Sequence, residues 1–104
     1  NLDFIEANKN VKPSWFGIPI LIKDKKSRKK LLFNLEKKGI ETRPIISGNF
    51  IKQPSVIKYN LVLKKMKFLS SDIINNNGFF IGLPSKRINN TFVNNIVKIF
   101  EESI

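Results

Sequence analysis

Apolar, β-prone segments alternate with helical segments along this chain of 104 residues, and the alternation constrains the fold more than any other feature. Trp15–Ile22 predicts a buried strand, and Pro19 inside it indicates a bulge or an edge position. Ile40–Ile46 and Phe79–Leu83 predict two further strands. Because helices separate the strands, we expect an α/β (α+β) fold in which a small sheet of three to four strands is covered on one face by helices.

Capping residues and apolar stripes predict three helices. The predicted N-caps are Ser27 for a helix through Lys38, Ser70 or Ser71 for a short second helix, and Asn89 or Asn90 for the last one. Gly39 and Gly78 are expected to end the first and second helices. The apolar residues of the last helix share one face, which we expect to point to the core: Phe92, Val93, Ile96, Val97 and Phe100. The segment 55–68 has no clear period and is predicted to be mostly loop.

The absence of cysteine and histidine removes most catalytic machinery. Disulfide frameworks, thiolate zinc sites and thiol nucleophiles are excluded, as are histidine general bases and Ser-His-Asp triads. No apolar run approaches the roughly 18 residues of a membrane span, and the N-terminus lacks a signal-peptide layout. We therefore expect a cytoplasmic protein with no membrane partner, no metal site and no catalytic residue of its own. The first residue is Asn1, so a piece of a longer protein is expected.

The net charge of +11 raises a second hypothesis, a freestanding basic α/β module that binds nucleic acid. Lysine supplies 16 of the 19 basic residues, whereas the arginine guanidinium is the better bidentate hydrogen-bond donor to phosphates and base edges. Lys, Asn, Ile and Phe together make up over half of the chain, which indicates compositional drift. The densest run, Lys23–Lys30, is typical of a solvated helix face. These observations weigh against a nucleic-acid partner, and an inert interaction domain is a third hypothesis.

The segment 41–54 has the chemistry of a binding loop. It places Arg43, one of three arginines, just after the start of a predicted strand. A turn at Ser47-Gly48-Asn49 follows, and then Gln53 lies among apolar residues. Arg43 is able to hold a phosphate or carboxylate through two hydrogen bonds. Loops on a rigid scaffold often carry binding residues, but a plain surface strand and turn explains this chemistry equally well.

Several motifs fall in one order and spacing along the chain. They are Pro13–Pro19, Arg28 with Leu31 and Leu35, Gly39–Pro44, Ser47–Phe50, Gln53–Pro54 and Gly78–Pro84. This series resembles the C-terminal domain of the DegT/DnrJ/StrS family, which comprises nucleotide-sugar aminotransferases and related sugar 3-dehydratases of the fold-type I pyridoxal-phosphate class. The resemblance covers essentially the whole chain. It implies that residues 1–104 are a single domain, the small C-terminal domain of a longer enzyme.

The resemblance also implies partners for the chain. The parent enzyme is expected to be a homodimer that acts on a nucleotide sugar in surface polysaccharide (lipopolysaccharide or O-antigen) biosynthesis. Its own large domain, outside this chain, would hold most of the pyridoxal phosphate or pyridoxamine phosphate, which supplies the electron sink. The chain alone is expected to be inactive. The pattern Ser47–Phe50 with Gln53–Pro54 is closer to the dehydratases, whereas Arg43-Pro44 also suits transaminases, and both branches stay open.

The resemblance places the segment from Arg43 to Gln53 in the active-site cleft, where it would help to hold the nucleotide sugar. The implied substrate-binding residues are Arg43, Ser47, Asn49 and Gln53, with Phe50 as an apolar wall. Trp15 and Phe16 are expected to support the domain interface or the core. We also expect this chain by itself to expose apolar surface where the large domain packs.

Overall fold

The computed structural model describes residues 1–61 and 67–104. The strands of this part of the chain are β1 (Leu2–Phe4), β2 (Gly17–Ile22), β3 (Thr42–Arg43) and β4 (Gly78–Gly82). The α-helices are α1 (Lys25–Lys37), α2 (Pro54–Lys58), α3 (Leu69–Asn77) and α4 (Asn90–Ser103), and a 3₁₀ helix covers Phe50–Lys52. The strands form one antiparallel sheet in the order β1-β2-β4-β3. The predicted α/β class with a small sheet is confirmed.

The core lies between one face of the sheet and the helices. Ile20 of β2 is paired with Phe79 of β4, so both side chains point to the same face, and both are fully buried. The same cluster includes Leu31 and Leu35 of α1 and Phe100 of α4, together with Ile22, Ile40 and Ile81. The core residues of the strands recur every second residue and those of α1 lie four residues apart, so each element turns one face to this core.

Pro19 lies where its missing N–H group is tolerated. β2 is an interior strand, but its pairing with β1 ends at Ile20, which is opposite Phe4. Pro19 is paired only with Phe80 of β4. The predicted edge position therefore holds locally, because proline has a strand neighbour on one side alone.

The end of α1 follows the prediction, whereas its start does not. Gly39 adopts a positive φ of 81°, and its N–H donates to the carbonyl of Glu36 at 3.0 Å. The N–H of Ile40 donates to the carbonyl of Leu35 at 2.9 Å, so the helix ends in a Schellman motif. The N-cap is Asp24 and not Ser27, since the Asp24 carboxylate accepts from the backbone N–H of Lys26 at 3.0 Å and of Ser27 at 3.2 Å. The helix thus begins earlier than predicted.

Three further predictions need correction. The predicted strand Ile40–Ile46 is reduced to Thr42–Arg43, because Pro44 has no N–H group to continue the ladder. Ser70 and Ser71 do not cap α3, which begins at Leu69 and has no side-chain cap. The short helix α2 begins at Pro54, one residue before the segment predicted as loop, and covers the start of that segment, since proline suits the first helical position. Residues 62–66 of that prediction lie outside the described residues.

The last helix is capped as predicted but packs differently. The Asn89 side chain accepts a hydrogen bond of 2.9 Å from the N–H of Phe92. Phe100 is buried, whereas Phe92, Val93 and Val97 are 46%, 40% and 49% exposed. The prediction that the whole stripe faces the core is therefore wrong for these three residues, which border an open cleft instead of a packed element.

Candidate functional site

The segment Ser47–Gln53, here called the 47–53 loop, is a compact turn that runs into the 3₁₀ helix. Gly48 adopts a positive φ of 61°, a conformation that glycine reaches without strain. The Asn49 side-chain oxygen accepts a hydrogen bond of 3.3 Å from the N–H of Ile51 and so caps the 3₁₀ helix. The Gln53 side chain donates to the carbonyl of Ser47 at 2.9 Å and closes the turn. The loop is thus held by its own polar side chains.

Asn49 is buried in the middle of this loop, at 1% exposure. Its side-chain Nδ2 donates to Asp72 Oδ1 at 2.8 Å, and its backbone N–H donates to Asn75 Oδ1 at 3.3 Å. Together with the bond from Ile51, these contacts engage its amide oxygen, its amide nitrogen and its backbone N–H. Asn49 therefore anchors the loop to α3, and its polar atoms are turned away from solvent.

Asp72 links two residues of the loop. Besides accepting from Asn49, its carboxylate forms an ion pair with the Lys52 ammonium. The hydrogen bond from Lys52 and then the one from Asn49 lower the pKa of the Asp72 carboxyl below its usual value. Asp72 therefore stays ionised in this contact at neutral pH.

The other predicted residues of the loop face solvent to different degrees. Phe50 is 60% exposed, which leaves its ring free to form an apolar wall. Ser47 is exposed, and its carbonyl is held by Gln53. Gln53 is partly buried and its amide nitrogen serves the loop itself. Ser47 and Phe50 are thus the two loop side chains best placed to meet a ligand.

Arg43 lies apart from these contacts, at the end of β3. Its Nε and Nη2 both donate to one carboxylate oxygen of Glu41 at 2.8 Å. The Arg43 side chain is 63% exposed, so this ion pair is weak and readily exchanged for another anion. In the sheet Arg43 is paired with Phe80. The structure therefore brings Ser47, Asn49, Phe50 and Gln53 together, and it places Arg43 on a different element.

An apolar cleft of about 860 Å³ opens between α4 and the sheet. The sequence predicts exposed apolar surface, but it does not place that surface on α4. Its lining includes Arg43, Phe16 and the exposed α4 residues Phe92, Val93 and Val97. Phe16 is 76% exposed and its ring meets Phe80 edge-to-face, with 5.5 Å between ring centroids. The exposed stripe on α4 was the available signal, because periodicity identifies an apolar face without showing what covers it. Trp15 and Phe16 do not enter the core. Of the two roles predicted for them, support of the domain interface therefore stays a prediction.

The described residues show neither a metal-binding cluster nor a membrane-spanning helix. Within 1–61 and 67–104, no group of three or more Asp, Glu, His or Cys side chains lies close enough to hold a metal ion. No helix in that part of the chain is long and apolar enough to cross a membrane. Every lysine that the structure describes is exposed. The described residues therefore include no buried lysine that could bind the pyridoxal-phosphate aldehyde in an enclosed site.

The chain is similar in sequence to curated bacterial proteins. The GDP-4-keto-6-deoxy-D-mannose 3-dehydratase of Escherichia coli O55:H7 is 39% identical over 71 residues, which are 66% of this chain and 18% of the relative. The lipopolysaccharide biosynthesis protein RfbH of Salmonella typhimurium is 36% identical over 86 residues, 79% of this chain and 19% of the relative. The chain thus spans about a fifth of the length of these curated relatives. No protein-family model matches it.

Solved structures match nearly the whole chain. Escherichia coli GDP-4-keto-6-deoxy-D-mannose-3-dehydratase with bound hydrated pyridoxal phosphate superposes with a TM-score of 0.73 at 30% identity, over 99% of this chain and 25% of that chain. A variant of GDP-4-keto-6-deoxymannose-3-dehydratase with bound GDP-perosamine gives 0.76 at 30% identity, over 95% and 25%. These matches confirm the resemblance to the DegT/DnrJ/StrS family, over a part of its members' length.

Proposed function

We propose that residues 1–104 are the small C-terminal domain of a nucleotide-sugar 3-dehydratase of the surface-polysaccharide (lipopolysaccharide) pathway, and that they supply its substrate side. The observation that carries the proposal is the superposition of 99% of this chain on one quarter of a 3-dehydratase that holds pyridoxal phosphate. The curated relatives that match in sequence favour the dehydratase branch over the aminotransferase branch. The GDP-perosamine in a matched structure supports a nucleotide sugar as the ligand class.

The cofactor belongs mainly to the rest of the enzyme in this proposal. Pyridoxamine or pyridoxal phosphate supplies the electron sink that sugar dehydration or transamination needs. The described residues offer no enclosed site for it, so the contribution of this chain is to bind and orient the sugar nucleotide. Such positioning is a large part of what an enzyme contributes to rate.

Three side chains carry the substrate contact in this proposal. The Arg43 guanidinium would leave Glu41 and hold an anionic oxygen of the nucleotide through two hydrogen bonds. The exposed Phe50 ring would cover an apolar face of the ligand, and the Ser47 hydroxyl would hydrogen-bond to it. Asn49 and Gln53 would act indirectly, because their amides already bind Asp72 and the Ser47 carbonyl.

The apolar cleft supports the second half of the proposal, the packing of the large domain. Exposed apolar side chains on one helix face are unusual for a surface that stays in water. Phe92, Val93 and Val97 form such a face, and Phe4 of β1 continues it on the other side of the cleft. We assign this face to the large domain of the same cytoplasmic enzyme, with a homodimer as the expected assembly.

The absorption spectrum of the complete protein with pyridoxal phosphate, before and after borohydride, tests the proposal. Cofactor binding without a Schiff-base adduct that borohydride fixes to the protein is the expected result for the dehydratase branch. A Schiff-base band whose reduction leaves the cofactor covalently attached would show a link to lysine and would move the assignment to the aminotransferases. A complete protein that binds no cofactor would overturn the proposal and favour the basic-module alternative.

A further inference from the structure

Two polar residues of α3, Asp72 and Asn75, face the 47–53 loop and are here called the α3 clamp. They are three positions apart, which places them on one face of a helix. Both contact Asn49: Asp72 accepts from its side chain at 2.8 Å and Asn75 accepts from its backbone N–H at 3.3 Å. The clamp therefore holds both the side chain and the main chain of the one fully buried residue of the loop.

The clamp also fixes the two ends of the 3₁₀ helix. Asn49 is the N-cap of this helix and Lys52 is its last residue, and Asp72 binds both. On the other side of Asn49, a Cβ added to Gly48 would collide with the Asn75 side chain, so the loop backbone lies directly against α3. Phe50 lies between the two clamped residues, and its ring is therefore presented from a backbone held at both ends.

The α3 helix is in turn fixed to the sheet. Asn77, its last residue, donates from Nδ2 to the carbonyl of Ile22 at 2.8 Å. The next residue is Gly78, the first of β4, whose carbonyl accepts from Arg28 Nη2 at 3.0 Å. The clamp thus connects the 47–53 loop through α3 to the two central strands, β2 and β4.

We infer that Asp72 is a positioning residue for the nucleotide-sugar site, acting on Ser47 and Phe50 through Asn49 and Lys52. This inference rests on the proposed function, because it needs the loop to contact the sugar nucleotide. Asp72 itself does not touch the ligand. It fixes the orientation of the loop relative to the sheet, so that the exposed side chains meet the ligand without a cost for ordering the loop.

The test is a set of substitutions in the complete enzyme, with steady-state kinetics on GDP-4-keto-6-deoxymannose. Asp72→Ala is expected to raise KM about tenfold or more and to leave the cofactor absorption spectrum unchanged. Asp72→Asn keeps an oxygen for the Asn49 amide and loses the ion pair, so it should recover part of this loss. Lys52→Met removes only the ion pair and is expected to raise KM about two- to fivefold. The matched control is Asp3→Ala in β1, which removes an exposed carboxylate that forms an ion pair with Lys23.

The outcomes separate this inference from the proposed function. If Asp72→Ala lowers the melting temperature but leaves KM at the value of Asp3→Ala, the residue is only structural and the inference is wrong. If Asp72→Ala does not fold, the graded effects of Asp72→Asn and Lys52→Met on KM decide, and two unchanged values overturn the inference. A wild-type enzyme that binds cofactor but neither binds nor converts the sugar nucleotide overturns the proposed substrate, and the positioning role with it.

Discussion

The Nδ2 atom of Asn49 donates a hydrogen bond of 2.8 Å to Oδ1 of Asp72 and so joins a loop residue to a helix residue 23 positions away. The bond is made by a residue that is 1% exposed, in a loop whose neighbouring side chains are open to solvent. In the proposed site a ligand would therefore contact Ser47 and Phe50, whereas Asn49 fixes the positions of these two side chains by anchoring the loop.

Asn49→Ala should destabilise the protein by about 1–3 kcal/mol, because it removes the cap of the 3₁₀ helix and the hydrogen bond from a fully buried side chain to the Asp72 carboxylate. Phe50→Ala should change the free energy of unfolding by less than about 0.5 kcal/mol, since its ring is largely exposed. Urea denaturation of the two variants beside the wild type measures both values. Equal stability of all three would contradict the anchoring role of Asn49.

Protonation of Asp72 should loosen the same contact at low pH. Its pKa is lowered in the folded state, so its stabilisation is complete above the ordinary carboxyl value and is lost as the pH falls through the lower folded value. We expect the urea midpoint to be flat between about pH 5 and pH 7 and to fall below about pH 4. Asp24 and Glu102 have lowered pKa values too, so the fall should be smaller, but present, in Asp72→Asn. If the urea midpoint of Asp72→Asn falls at low pH as much as that of the wild type, Asp72 does not contribute to the acid destabilisation.

Arg43 should contribute to binding of the sugar nucleotide through its paired N–H groups. Arg43→Ala should weaken affinity by about ten- to a hundredfold, the usual value of a charge-assisted hydrogen bond. Arg43→Lys should recover only part of it, because an ammonium lacks the two-pronged geometry. Glu41→Gln is the matched control, because it removes the ion-pair partner of Arg43. It should leave the affinity for the sugar nucleotide equal or higher. Calorimetry on the complete enzyme checks the series, and an Arg43→Ala variant that binds as tightly as the wild type would contradict a contact between Arg43 and the ligand.

The apolar cleft should matter only when the rest of the enzyme is present. Val97 is 49% exposed in this chain, so Val97→Asp should cost the 104-residue chain less than about 0.5 kcal/mol. In the complete protein the same change should lower the melting temperature by several degrees, because it buries a charge at the proposed domain contact. Val11→Asp, at a similarly exposed residue outside the cleft lining, should have no such effect. Identical behaviour of the two variants in the complete protein would remove the cleft from the domain interface.

The basic composition should give no meaningful nucleic-acid affinity in physiological salt. Phosphate-backbone contacts weaken steeply with salt, so any binding seen at about 0.05 M should disappear near 0.15 M. Fluorescence anisotropy with a labelled single-stranded oligonucleotide and with a duplex checks this. Binding that persists near 0.15 M salt would favour the basic-module alternative.

Features set by neighbouring residues could be predicted from the sequence. Asn89 caps α4 and Gly39 ends α1, because each acts on hydrogen bonds within a few residues of itself. The N-cap of α1 was missed since Asp24 and Ser27 are both good caps three residues apart. The start of α2 at Pro54 was missed because proline is also typical of the end of a helix or strand.

Features set by distant residues could not be predicted in this way. The resemblance implied that Asn49 binds the substrate, and nothing near Asn49 in sequence shows that Asp72 and Asn75 of α3 accept its hydrogen bonds. The stripe on α4 likewise identified an apolar face, but periodicity does not show that Phe92, Val93 and Val97 line an open cleft instead of the core. The order of the motifs, in contrast, was enough to predict the resemblance that the solved structures confirm.

Replacement of the matching quarter of the Escherichia coli 3-dehydratase by this chain tests the central claim most directly. The chimaera keeps that enzyme's remaining three quarters, so its absorption with pyridoxal phosphate reports whether it has folded. If residues 1–104 form the substrate side of such an enzyme, the chimaera should convert GDP-4-keto-6-deoxymannose, and Arg43→Ala in it should weaken binding. A chimaera that holds the cofactor but neither binds nor converts the sugar nucleotide would contradict the account.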